Sequence, residues 1–134
     1  MDYKLHTDSF SIILKTTVFE TDIEYPENTI LEVCLKSDDF SACTTMDIDI
    51  KEFNIFISQI NKLYETLKGS TQIKESYGNQ FIEFSVDKKG TILVSGFLHN
   101  NYKNGNYQAL QFENSFDQTY LMKFVNSLKS GLFR

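Results

Sequence analysis

Residues 112–132, FENSFDQTYLMKFVNSLKSGL, decide the architecture of this 134-residue chain. A strand runs into Asp117, whose short carboxylate suits a helix N-cap, and the apolar residues Leu121, Phe124, Val125 and Leu128 then recur on one helical stripe. The same plan occurs earlier. A strand ending at Met46 leads to Asp49, with Glu52 three residues on in the manner of a capping box. The helix that follows carries Phe53, Phe56, Ile57, Ile60, Leu63, Tyr64 and Leu67 on one side and stops at Gly69. The spacing predicts helices at about 49–68 and 117–130. The first buries Phe53, Phe56, Ile60, Leu63 and Leu67, the second its four-residue stripe, with Leu132-Phe133 folding back as an apolar clasp.

Outward from these helices the chain reads as strands. Residues 9–15, SFSIILK, form a first strand; ahead of it Asp2, Lys4, His6 and Asp8 break up the first residues, unlike a secretory leader. Residues 16–29 are polar and interrupted by Pro26, which predicts a long loop with room for a short edge strand near 18–23. A hairpin, 30–37 and 40–47, turns at Asp38-Asp39. With those two residues as the loop, Leu35 faces Ala42, Val33 faces Thr44 and Leu31 faces Met46 on one apolar side. Cys34 then faces Cys43 on the other side. A further strand falls near 72–75, and Asp87-Lys88-Lys89-Gly90 turns 80–87 into 91–99, pairing Ile82, Phe84 and Val86 with Gly96, Val94 and Ile92. Phe81 and Phe97 meet on the opposite face, apolar enough to require a cover. Asn104-Gly105 joins 91–99 to 107–114. A strict two-residue turn sets Phe112 against Phe97, whereas a one-residue shift or bulge sets Leu110 against Leu98. The fold class is therefore α+β, one domain over 1–134: antiparallel hairpins in a curved sheet or two packed sheets, with two long amphipathic helices.

Composition narrows the function. The chain has twelve Phe and seven Tyr but no Trp, with one Pro and six Gly. Its core is aromatic and suited to strands, and nothing suggests disorder. No apolar run is long enough to span a bilayer, and no secretory leader opens the chain, so a cytoplasmic location is expected. The net charge of −5 is uneven. Residues 1–69 carry thirteen acids against six lysines, while residues 70–134 carry five acids against six lysines and one arginine. The acids gather at Glu20, Asp22, Glu24 and Glu27, and again at Asp38, Asp39, Asp47, Asp49 and Glu52. Such a half repels phosphate backbones and anionic lipid, and attracts basic partners. Nucleic acid and membranes are not the expected partners.

Catalytic chemistry finds no constellation. The hairpin register permits a Cys34–Cys43 cross-strand bridge, since non-hydrogen-bonded pairs approach most closely. A reducing cytoplasm favours two free, partly covered thiols instead. Neither His6 nor His99 stands at metal-ligand spacing to a cysteine, and no histidine is placed to activate a thiol. Asp38-Asp39 lies at a solvated turn, where general acid–base work is not expected. The glycines are scattered singly, so no phosphate loop is present. No cofactor or metal is implied. His99, at a strand end beside Asn100-Asn101-Tyr102, is the one residue whose surroundings suggest a polar pocket. A small-molecule-binding or structural interaction module on the aromatic face around Phe81, Phe97 and His99 is the alternative to protein recognition.

The block IEFSVDKKGTILVSGFLHN…YQALQFENSFDQTYLMKFVNSLKSGL resembles the C-terminal half of the WapI family of bacterial immunity proteins. The carrying residues are Phe112 and the run Asp117, Gln118, Thr119, Tyr120, Leu121, which on physical grounds read as a helix start. The stretch 31–69 is similar to the family's first hairpin and helix. That resemblance implies a non-enzymatic protein that binds and neutralises a cognate secreted or wall-associated toxin domain inside the producing cell. The acidic loops (Glu20, Asp22, Glu24, Glu27, Asp38 and Asp39) are the expected contact for a basic toxin domain.

Overall fold

In the computed structural model, which describes residues 1–102 and 104–133, two four-stranded antiparallel sheets enclose a core that two helices complete. The first sheet contains β1 (Asp2–His6), β2 (Phe10–Val18), β3 (Thr29–Ser37) and β4 (Phe40–Ile48), in that order. Helix α1 (Ile50–Thr66) leads to the second sheet, β5 (Ser70–Lys74), β6 (Phe81–Val86), β7 (Ile92–His99) and β8 (Ala109–Phe116), again in sequence order. Helix α2 (Leu121–Ser130) closes the chain. The architecture is α+β, with packed sheets: β4 lies against β7 and β8, α1 runs along β5, and α2 touches both α1 and β1.

The β3–β4 register follows the burial pattern. Leu35 faces Ala42, Val33 faces Thr44, Leu31 faces Met46, and the turn is Asp38-Asp39. Asp38 takes φ 53°, a left-handed conformation that aspartate tolerates better than most residues. The β6–β7 pairing also matches, with Ile82, Phe84 and Val86 opposite Gly96, Val94 and Ile92. For β7–β8 the shifted register holds: Leu98 faces Leu110 and Gly96 faces Phe112. The turn at Asn104-Gly105 lies within a longer connection, so it does not dictate the pairing, and β8 starts at Ala109 rather than 107. Gly96 makes that register feasible. A Cβ there would fall 2.8 Å from the Phe112 ring and closer still to the Phe81 carbonyl oxygen.

Both helices bury their expected stripes. Asp49 caps α1 by accepting from the Lys51 N–H, and Phe53, Phe56, Ile57, Ile60 and Leu63 are buried. Leu67 differs from expectation. It is half-buried and terminates the helix at φ 52°, donating its N–H to the Leu63 carbonyl, ahead of Gly69 at φ 93°. Asp117 caps a 3₁₀ turn, Gln118–Tyr120, which hands over to α2. Leu121, Phe124, Val125 and Leu128 are each at most 1% exposed. A chain of rings, Tyr3–Phe53–Phe56–Phe84–Phe124, links the first sheet, both helices and the second sheet. Leu132 and Phe133 pack partly against this core.

One strand goes beyond the sequence reading: Asp2, Lys4 and His6 alternate with buried Tyr3 and Leu5 to make β1. Two expectations give way. Strand β2 continues through Val18, so the connection to β3 is shorter than 16–29 and contains a 3₁₀ turn, Glu20–Asp22. Finally, Cys34 and Cys43 are not free, partly covered thiols. Both are exposed and joined in a disulfide, with their Cα atoms 4.1 Å apart. The hairpin register sets the two residues directly opposite, close enough to bond.

Candidate partner-binding surface

One buried side chain organises the acidic end of the molecule. Asn28, fully shielded from solvent, donates through Nδ2 to the Ile23 carbonyl at 3.1 Å, the Tyr25 carbonyl at 2.9 Å and Asp49 Oδ1 at 3.1 Å. Its Oδ1 accepts from the Ile50 N–H at 2.8 Å. The β2–β3 connection is thereby tied to the first turn of α1. The β5–β6 turn joins them: the Ser76 N–H donates to the Asp47 carbonyl at 2.9 Å, and its hydroxyl to the Pro26 carbonyl at 3.0 Å.

These ties set the β2–β3 connection, which carries Glu20, Asp22, Glu24 and Glu27, beside the β4–α1 junction with Asp47, Asp49 and Glu52 and the β5–β6 turn with Glu75. The lysines that the same segments bring there are Lys51 and Lys74. Eight carboxylates against two ammoniums exceed the whole chain's net charge of −5, so the remainder is close to neutral. Among them stand exposed apolar groups, Tyr25 at 64%, Tyr77 at 74% and Ile55 at 47%. Tyr77 and Ile55 line an open cleft of about 480 Å³ with Pro26, Glu52, Gln59 and Glu75.

The acidic residues singled out from sequence fall into two separate groups. Glu20, Asp22, Glu24 and Glu27 are exposed on the β2–β3 connection. Asp38 and Asp39 lie at the far end of β3, roughly 30 Å away for nine extended residues. They sit beside the β1–β2 turn, where the Asp38 N–H donates to the Ser9 carbonyl.

The Asp117–Leu121 run is occupied with folding. Asp117 accepts from the Thr119 N–H at 2.9 Å, and these Thr119 bonds hold its carboxyl below the ordinary value. Gln118 and Thr119 fill the 3₁₀ turn, Tyr120 reaches Asp8 at 3.5 Å, and Leu121 is fully buried.

A second cluster lies on the β7–β8 connection. Rings of Phe97, His99, Tyr102 and Tyr107 adjoin one another, Tyr102 and Tyr107 stacking at 5.1 Å. Desolvation and the neighbouring Tyr107 raise the Tyr102 phenol above its ordinary value. His99 Nε2 is 3.7 Å from Glu75 Oε1, which ties this cluster to the acidic end. The outer face of the second sheet, with Phe81 and Phe97 half-buried and Leu93 exposed, carries no helix; its cover is these loop rings, over His99 alone. The acid count could not reveal either tyrosine group. The available signal was that four of the seven tyrosines, Tyr25, Tyr77, Tyr102 and Tyr107, fall in the connections between strands rather than in a strand or helix.

Among the described residues no three histidine, cysteine or acidic side chains converge as a metal site, and no helix is long and apolar enough to cross a membrane. No curated protein matches the chain in sequence. A family model does, that of the immunity protein WapI-like family, over residues 6–133. With nearly its whole length matched, this chain belongs to the immunity protein WapI-like family.

Proposed function

We propose that this protein, acting as one domain, binds a cognate bacterial toxin domain stoichiometrically in the cytoplasm and neutralises it without catalysis. The contact surface in this reading is the acidic end that contains Glu20, Asp22, Glu24 and Glu27. Asp38 and Asp39 lie outside it. The observation that carries the reading is the concentration of carboxylates around exposed Tyr25, Tyr77 and Ile55. Charge at a rim speeds encounter with a basic partner, and aromatic side chains at the centre supply contact area. A basic toxin domain is the partner that such a surface recruits.

The test uses the full chain and a candidate toxin domain, the variable C-terminal domain of a large secreted protein sought in the neighbouring reading frames. Reversing Glu20, Asp22, Glu24 and Glu27 to Lys should slow association by about tenfold or more at low salt and flatten its salt dependence. Unchanged association kinetics would move the interface elsewhere. Failure of the unaltered chain to bind that domain at all would reject the reading.

A further inference from the structure

Tyr102 adopts φ +59°, a left-handed conformation that is costly for a bulky side chain. The surrounding loop over-determines it. Asn100 donates its N–H to the Gln108 carbonyl at 3.0 Å and its Nδ2 to the Asn106 carbonyl at 2.7 Å; its Oδ1 accepts from the Gln108 N–H at 3.1 Å. The Gly105 N–H closes the turn on the Tyr102 carbonyl at 2.9 Å. Strain of this kind concentrates at functional sites. Burial does not offset it here: Tyr102 and Tyr107 remain 48% and 49% exposed, stacked on each other above His99. The loop therefore holds two rigid rings toward solvent at a cost to the fold. Tyrosines fixed in this way lose little entropy on contact and are frequent anchors of protein interfaces.

The position of the rings names their occupant. Through the His99–Glu75 contact, and through Gln80, which bonds to both Glu75 and the His99 N–H, the cluster borders the β5–β6 turn with its exposed Tyr77. A basic polypeptide drawn to the carboxylates of that end meets the stacked rings on the same approach. We infer that Tyr102 and Tyr107 form the anchoring half of the partner-binding surface, gripping the same basic protein that the acidic loops attract. This rests on the toxin-binding reading above and divides its labour: carboxylates set the rate of encounter, rings set the lifetime of the complex.

The division is separable by kinetics. Tyr102→Asn removes the ring but suits positive φ, so the fold is kept or strengthened while the anchor is lost. Tyr107→Ala removes its stacking partner. With a toxin domain that the parent chain binds as probe, each variant should dissociate about tenfold faster or more, at an unchanged association rate and salt slope. The Tyr102→Asn chain should melt no lower than the parent. If both variants dissociate within about twofold of the parent while the Lys reversals still slow association, the inference falls and the toxin-binding reading stands. A Tyr102→Asn chain that melts several degrees lower would mark the ring as structural and likewise overturn it. Absence of any complex with the parent chain defeats both.

Discussion

Gln80 and His99 join the two sheets through a single side chain. The Gln80 side-chain carbonyl accepts from the His99 N–H at 3.0 Å, while its Nε2 donates to the Thr45 carbonyl on β4 at 3.0 Å and to Glu75 Oε2 at 3.0 Å. Thr44 adds a parallel link from its hydroxyl to the His99 carbonyl at 2.7 Å. Gln80 is only 3% exposed, so its partners have little water to fall back on. Replacing it with Leu keeps much of the volume and strands several polar groups. The expected cost is about 2–3 kcal/mol, read from the urea midpoint, with the cognate contact loops also loosened. A loss below ~0.5 kcal/mol would mean that water reaches this junction.

Phe124 tests the other side of the core. It is fully buried on α2 with its ring 6.1 Å from Phe84, at the end of the aromatic chain that begins at Tyr3. Phe124→Ala should destabilise by roughly 3–5 kcal/mol, because lost transfer energy and an unfilled cavity add. Chemical denaturation gives the value directly; a change under ~1 kcal/mol contradicts the packing described.

How much of this was legible follows from which forces are local. The β3–β4 register could be read because a two-residue turn and the burial parity of Leu31, Val33 and Leu35 agree with each other. Both helices could be read because their stripes and aspartate caps lie within a few residues. Strand β1 was obscured by a half-exposed alternation, in which Asp2, Lys4 and His6 are the wet face and Tyr3 and Leu5 the dry one. The β7–β8 register was open because Asn104-Gly105 is a turn inside a longer connection, and pairing was decided instead by the close fit of Phe112 over Gly96. The surface was the least legible part. Glu27 and Asp38 are near in sequence yet separated by the length of β3, whereas Glu27 and Glu75 reach one end only through Asn28 and Ser76.

The Asp117 cap gives the chain a predictable acid response. Bonds from Thr119 lower its folded-state pKa below the ordinary aspartate value, which the unfolded chain retains. A depressed carboxylate contributes stability that is fully present above the unfolded value and disappears as pH falls through the folded one. Stability measured by urea should therefore decline below about pH 4, with part of that decline due to Asp117. Asp117→Asn can still cap the 3₁₀ turn but cannot ionise, so its curve should be flatter in that window. Parallel curves for the two proteins would remove Asp117 from the acid response.

The Cys34–Cys43 bridge sets a physical choice that the proposed location makes testable. Both residues are exposed on the outer face of the first sheet, nine positions apart, in a hairpin already held by its ladder and by the Asp38-Asp39 turn. Closing so short a loop in the unfolded chain is worth about 2–3 kcal/mol on the chain-entropy account. A reducing cytoplasm opens accessible bridges, leaving two thiols on opposite strands and an intact register. The oxidised chain should therefore resist urea better than either the dithiothreitol-treated chain or the Cys34→Ser, Cys43→Ser double variant, and those two should match each other. Toxin association should be the same in all three, because the bridge lies on β3 and β4 rather than on the acidic connection. Mass spectrometry after rapid thiol alkylation of cells reads which form is present. Equal urea midpoints for the oxidised and reduced chains would show that the bridge adds nothing beyond what the hairpin already supplies.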